Sequence, residues 1–378
     1  MARLDSNTSH PAAEMTPGRT PSCRTASIGG RLGHRGLNRF ARAGATRTNA
    51  YTAAPRKLIN RRTYPPTMVV LIGTRDGVYR ITTVPVEDVD HVLDSADTPR
   101  VHTFPAVDGV FAASKSGLYR STDDGQTWEN LGVPREEVYS VVAGSDGERL
   151  YAGTHPARLY VSTDDGETWD ELEGFQDLPS RDQWHTPRHR NEAHARSLGV
   201  HPDAPDRVIA GVEVGGVHVS DDRGEIWTER RDGVHDDVHH VFITGPDEYV
   251  ASTGDGLYRT RDAGQSWTRL DTELDHRYFR EAFALDGRTY AAAARNSPGT
   301  WSGVDGADAI LVESTATGET LKTVSYPGGP EEVVLAWTAV GGTVLSGTND
   351  GRLISRDSDG SWNDAGQIPA GIRSLAIR

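Results

Sequence analysis

The chain has 378 residues, with 54 acidic against 40 basic side chains and a formal net charge of −14. That balance offers no cationic surface for a phosphate backbone, so nucleic acid is excluded as a partner. The single cysteine, Cys23, excludes internal disulfides and cysteine-based metal sites, and no apolar run is long enough for a membrane helix.

The charge divides at Met68. Residues 1–67 carry twelve basic side chains against Asp5 and Glu14, a net +10, whereas residues 68–378 carry 28 basic against 52 acidic, a net −24. The first segment is rich in Ser, Thr, Pro, Gly and Ala and has no apolar periodicity, so it is expected to be a disordered basic leader. It lacks the apolar core of a secretory signal. Met68, directly ahead of VVLIG, reads as the true start of translation.

From Met68 onward, short runs of β-branched and aromatic residues alternate between Gly and Asp turns, and nothing reads as a long amphipathic helix. Second strands begin near Val69, Val110, Leu150, Val208, Tyr249, Thr289 and Thr343. A third strand follows, as in GLYRS and GLYRT, and runs into an eight-residue phrase, S-x-D-x-G-x-[TS]-W. Four close copies carry Ser121, Asp123, Gly125 and Trp128; Ser162, Asp164, Gly166 and Trp169; Ser220, Asp222, Gly224 and Trp227; and Thr260, Asp262, Gly264 and Trp267. A decayed copy spans residues 314–321, and a strained one holds Ser355, Asp357 and Trp362 with its glycine moved to Gly360. Successive closing positions lie 41, 58, 40, 54 and 41 residues apart, a basic unit of about 40 with two insertions.

First strands also number seven, but the set is rotated: Val69 has none before it, and IRSLAIR at the C-terminus has nothing after it. The expected fold is therefore all-β, a seven-bladed propeller of four-stranded antiparallel blades over residues 68–378, closed by the C-terminal strand pairing into the N-terminal blade.

The phrase resembles the Asp-box (BNR) repeat of sialidases, sortilin-type receptors, photosystem II assembly factors and some endoglucanases. The resemblance covers residues 68–378 and implies a turn between third and fourth strands, on the face away from the ligand. The chemistry suits a structural role. Serine and aspartate can bind turn amides, glycine can take a positive φ, and tryptophan can wedge between blades. One short turn offers too few oxygens for a calcium cage. Only Lys115 and Lys322 lie beyond residue 67, and this lysine-poor, acidic composition resembles that of salt-adapted archaeal proteins. Cytoplasm is the expected compartment.

In such a ring, the loops entering each first strand share a face with the turns between second and third strands. Three adjacent loops are rich in charge: WHTPRHRNEAHARSLGV, GVHDDVHHV and LDHRYFREAF. The expected ligand residues are His194, Arg196, Glu213, His235, Asp237, His239, Arg277, Tyr278, Arg280 and Arg295, over the third to fifth blades. His235, Asp237 and His239, spaced by two, would face one side of a regular strand; they are read as the solvated end of an inner strand, with no metal and no cofactor. The expected function is a ligand-binding or scaffold module for an anionic, sugar-like or peptide ligand. The alternative is a glycoside hydrolase. There the sialidase resemblance casts Arg196, Arg280 and Arg295 on a substrate carboxylate, Tyr278 with Glu213 as nucleophile pair, and Asp237 as acid. The Phe/Tyr-Arg-Ile-Pro motif of sialidases is absent, and they have six blades.

Overall fold

Strand-forming residues and glycine turns give strands wherever the pattern placed them. A computed structural model describes residues 68–186, 188–301, 306–314 and 320–378. The leader assigned to residues 1–67 and the interior of the decayed phrase, 315–319, lie outside the described residues.

Seven four-stranded antiparallel sheets form the ring. Blade 1 combines Ile372–Ile377 with Val70–Thr74, Gly77–Ile81 and Asp90–Asp94. The inner strands of blades 2 to 7 are Arg100–Phe104, Val138–Ala143, His194–His201, Val238–Ile243, Tyr278–Leu285 and Val334–Val340. Each inner strand contacts the next around the centre, and the cores lie between adjacent blades.

Closure follows the expected route. Val70 pairs with Ile377, Ile72 with Leu375 and Thr74 with Ile372. Val69 and Arg378 exchange backbone hydrogen bonds of 3.2 and 2.9 Å. Behind the ladder, Val70, Ile72 and Ile372 join Ala336, Leu345 and Leu353 of blade 7 in one buried cluster. Deleting residues 371–378 removes Ile372 and Leu375 from this core, at about 1.5–3 kcal/mol for each buried side chain, and leaves two open sheet edges. The truncated protein is expected to aggregate or unfold where the parent is soluble. Size-exclusion chromatography and thermal melting check this; a monomer of unchanged stability contradicts it.

The repeated turns owe their shape to one hydrogen-bond pattern. In each close copy the Ser or Thr hydroxyl donates to the aspartate Oδ1 at 2.7–2.8 Å and accepts the glycine N–H at 2.8–2.9 Å. The same Oδ1 accepts a further amide four residues on, from Thr127, Thr168, Ile226 or Ser266. Gly125 has φ +82°, and a Cβ there would lie 2.7 Å from Leu71 of the preceding blade, so the turn requires glycine. Trp128 and Trp227 donate to their own turn, whereas Trp169 and Trp267 donate to Leu131 and Arg230 of the blade before.

The strained copy departs from this pattern. Its displaced glycine lets the Asp357 N–H bond the Ser361 carbonyl at 2.7 Å, and Asp359 takes the amide and hydroxyl of Ser361. Ser355 stays within the third strand, Asp357 accepts from Asn363 instead, and Trp362 donates to Glu313 of blade 6.

Hydrogen bonds from Thr127 and from Ser266 hold the carboxyls of Asp123 and Asp262 down to about 2, from an ordinary 3.8. Because the folded value is depressed, this stabilisation is complete above about pH 4 and is lost as the pH falls through 2. The melting-temperature gap between the parent and an Asp123→Asn/Asp262→Asn variant should be constant above pH 4 and narrow below it. A gap that ignores pH in that window contradicts the assignment.

Candidate binding site at the channel mouth

The mouth is built by a repeated irregularity. In blade 3, Val138 pairs with Thr154 and Ser140 with Gly153, so Tyr139 is an extra residue. The same bulge isolates Arg196, His239, Leu335 and Arg373 in blades 4, 5, 7 and 1, and falls at Arg280 and Glu281 in blade 6. A bulge breaks the alternation of faces and re-aims a side chain. The partner strand allows it by being bare: Gly73, Gly153, Gly211 and Gly347 pair with the small residue that follows the bulge. A Cβ at Gly153 would meet the Ala195 carbonyl of blade 4 at 2.6 Å. Blade 2 begins in register, with Arg100 opposite Ala113.

Four arginines stand near the starts of inner strands, three of them neutralised. Arg196 is ion-paired with Glu213, Arg100 with Glu281, and Arg373 with both oxygens of Asp97 at 2.8–2.9 Å. His239 donates Nδ1–H to the Phe279 carbonyl at 2.6 Å and sets Nε2 3.5 Å from Asp237 Oδ1. Arg280 has no ion-pair partner among the described residues.

Environment fixes the protonation states. Burial raises the Asp237 carboxyl, but His239 and then Arg196 outweigh it and leave it below its ordinary value. Burial pushes the Tyr278 phenol up to about 12 despite Arg196, so it remains a donor. Burial, aided by Arg196, holds His194 far below the usual imidazole range. His194 stacks on His155 at 4.4 Å, with Tyr139 and His189 edge-on, and neither of its ring nitrogens has a partner.

Six of the ten expected residues therefore gather: His194, Arg196, Glu213, Asp237, His239 and Tyr278. The other four do not. His235 sits half-buried beside Asp236, its Nδ1 accepting the Asp237 N–H at 3.2 Å, because it lies in the loop ahead of a strand that begins only at Val238. Arg277 pairs with Asp271 at 3.4 Å and Arg295 with Asp308 at 2.7 Å. Arg280 instead lines a hollow of about 700 Å³ with Arg75, Arg373 and Trp301. The three arginines cast as a carboxylate triad are thus placed separately, and the gathered residues lie on blades 4 to 6, with Tyr139 and His155 added from blade 3. The insertion before blade 4 also contributes to the core: Phe175 and Trp184 pack on Trp227 and His218.

Tyr139, Arg100 and Arg373 are absent from the expected set. For Tyr139 and Arg373 a signal was present: VYS and IRS share with ARS and VLA an apolar residue, a variable one and a small one at the strand start.

Glu213, Asp237 and His239 offer ligand atoms within 4.8 Å of one another. The guanidinium of Arg196 already bears on Glu213, so a positive charge is built into the cluster and a divalent ion would have to displace it. Removing that charge alone should be costly. Arg196→Met is expected to destabilise by up to ~3–5 kcal/mol by leaving the largely covered Glu213 unpaired, and adding Glu213→Leu should recover most of it. Urea unfolding of the single and double variants measures this.

Over residues 116–236 the chain matches the family Sortilin-Vps10, described as sortilin, neurotensin receptor 3. No curated protein matches it. Among solved structures, an ancestral GH74 enzyme shares 16% identity at a TM-score of 0.54, over 74% of this chain and 38% of its own. The GH74 xyloglucanase of Xanthomonas campestris shares 18% at 0.54, over 71% and 45%. YCF48, solved bound to D1 peptide, shares 17% at 0.51, over 80% of this chain and 84% of its own. The chain thus spans about two-fifths of the GH74 structures' length, and at these identities the likeness is one of fold. The protein is a seven-bladed β-propeller with a sortilin-like stretch over residues 116–236.

Proposed function

We propose that the protein is a ligand-binding or scaffold propeller whose mouth takes an anionic ligand, a sugar acid or a peptide carboxylate. The observation that carries this reading is Arg280, a cation without an acid partner among the described residues, in a hollow beside Arg75, Arg373 and Trp301. A guanidinium fork suits a carboxylate, and Trp301, edge-on to Tyr278 at 5.9 Å, supplies a flat apolar wall. Glu331 and Asp350 in the same hollow suit a ligand that also carries an ammonium group, as a peptide does. YCF48, whose structure holds a peptide, lends analogy of fold only.

The acidic, lysine-poor composition of residues 68–378 supports a protein working at high salt, and we place it in the cytoplasm, with residues 1–67 as a separate leader. Titration calorimetry in concentrated salt should therefore show heat with a sugar acid or an acidic peptide, and Arg280→Ala should abolish it. Arg280 is only half-buried, so its loss leaves the core intact. No heat from either class, or heat that persists without Arg280, overturns this reading.

A glycoside hydrolase is the second reading, favoured by two carboxylates, Glu213 and Asp237, whose oxygens come within 4.8 Å of each other. Against it, Arg196 and His239 already engage both carboxylates, which leaves neither as a ready proton donor. Turnover of a fluorogenic glycoside, abolished by Glu213→Gln, would favour this reading over the first.

A further inference from the structure

The loop ahead of blade 4 sends Arg188–Glu192 over the channel mouth. Arg190 Nη2 donates to Glu137 Oε1 at 2.6 Å, at the inner-strand start of blade 3. Arg188 Nη2 donates to Ser297 Oγ at 3.3 Å, between the second and third strands of blade 6. Those blades stand three places apart in a ring of seven, so a segment bonded to both spans the mouth. His189, Arg190 and Asn191 all take left-handed backbone, at φ 50°, 60° and 62°. Three successive side-chain-bearing residues hold that conformation only where outside contacts impose it. The strap is therefore kept shut by its anchors.

One anchor depends on a proton. His155 Nδ1 lies 2.7 Å from Arg190 Nη2, which can only donate, and 3.1 Å from Glu137 Oε2, which as a carboxylate can only accept. No single protonation state serves both. Nε2 donates to the His189 carbonyl at 3.1 Å, so the neutral ring carries its proton there and Nδ1 accepts from Arg190. A second proton, on Nδ1, turns that atom into a donor to Glu137 and sets it against the Arg190 N–H.

We infer that Arg188–Glu192 is a proton-released strap across the mouth, latched by Arg190 while His155 is neutral and loosened when His155 is protonated.

The groups around His155 are balanced for such a change. Burial raises the Glu137 carboxyl, but the Arg190 bond and then His155 hold it below its ordinary value, so it is ionised and ready to accept. Glu192, 4.0 Å from Nε2, also favours a charged ring. Arg190 opposes it, as do Lys115 and Arg196, whose charges bear on the neighbouring Tyr139. The His189 and His194 rings complete the shell, at 6.4 and 4.4 Å. His189 also stands edge-on to His194 at 4.5 Å, so lifting the strap opens a buried imidazole to water. The strap governs the upper end of the axis alone. Farther along, the inner strands of blades 1, 2, 5, 6 and 7 line a lower chamber of about 340 Å³, with Arg100 and Glu281 in its wall and no strap residue among its lining.

The test follows backbone hydrogen exchange of residues 188–192 in the full chain between about pH 8 and 5, the span over which an imidazole changes charge, corrected for the chemical rate. No ligand is added, so the outcome is independent of what the mouth binds. The Asn191 and Glu192 amides, bonded within the strap at 2.9 and 3.3 Å, should exchange about ten-fold faster at the acid end. His155→Gln keeps a donor and an acceptor but cannot titrate, and should flatten the profile. Glu137→Gln removes the charge that Arg190 and His155 share; it should quicken exchange at the alkaline end and leave little further gain on acidification. Should His155→Gln fold poorly, Glu137→Gln carries the test. Exchange that ignores pH in the parent, a rise that survives either variant at full size, or faster exchange at the alkaline end overturns the inference.

Discussion

The pairing of Ile372–Ile377 with Val70–Thr74 does more than shut the ring, because both chambers of the channel take some of their wall from those six residues. Ile372 packs so closely on blade 7 that a Cβ at Gly347 would lie 2.5 Å from its methyl group. Arg373 is thrown to the mouth by the bulge, where Asp97 from the loop ahead of blade 2 clamps it. Ser374 then packs on Gly73, and Leu375 joins the core shared with blade 7. Stability and binding surface therefore share one strand. Loosening the closure would disturb both chambers before the outer strands were affected.

The bulges explain how a propeller of small blades can crowd arginines around its axis. A regular inner strand sends alternate side chains to the two blade interfaces, which are apolar here. An extra residue at the strand start gives one side chain per blade that belongs to neither interface and can meet its counterparts. Buried guanidinium groups carry a heavy desolvation penalty, so each fully buried one must have an acid at hand. Arg100 and Arg196 are 8% and 7% exposed, and both are paired. Arg280 is half-buried and lacks such a partner among the described residues, an arrangement that solvent or a ligand can tolerate and a dry core cannot.

What was legible in the chain was local. The turn phrase is closed by contacts within eight residues, from the Ser121 hydroxyl to the Trp128 indole, so its sequence and structure correspond one to one. Blade number and closure followed from counting the first and second strands that lead into those turns. The mouth was legible only as a neighbourhood, since a bulge is decided by two strands together. His239 falls in a bulge because Val238 and His240 pair with adjacent residues, Thr253 and Ser252, of the next strand, and it meets Asp237 from there while His235 stays in the loop. Alternation, which reads one strand at a time, therefore grouped His235 with His239 and could not join them to Glu213, which the structure brings to Asp237 from another blade. The glycines that permit the bulges were visible in the recurring IGT, AGT and SGT triplets, but their meaning depends on which blade lies against them.

The Arg100–Glu281 pair makes the channel two chambers rather than a pore. Blades 2 and 6 are not neighbours in the ring, so an ion pair between their inner strands reaches across the axis. Both side chains are about nine-tenths buried, and burial raises the glutamate carboxyl while Arg100 opposes that rise. A solute moving from mouth to lower chamber would have to pull these buried charges apart, at ~3–5 kcal/mol if neither found a new partner. Water can pass by exchanging hydrogen bonds with the pair, but a sugar or a peptide side chain cannot do so without breaking it. The two ends of the axis are therefore separated by one ion pair, although the same strands build them both.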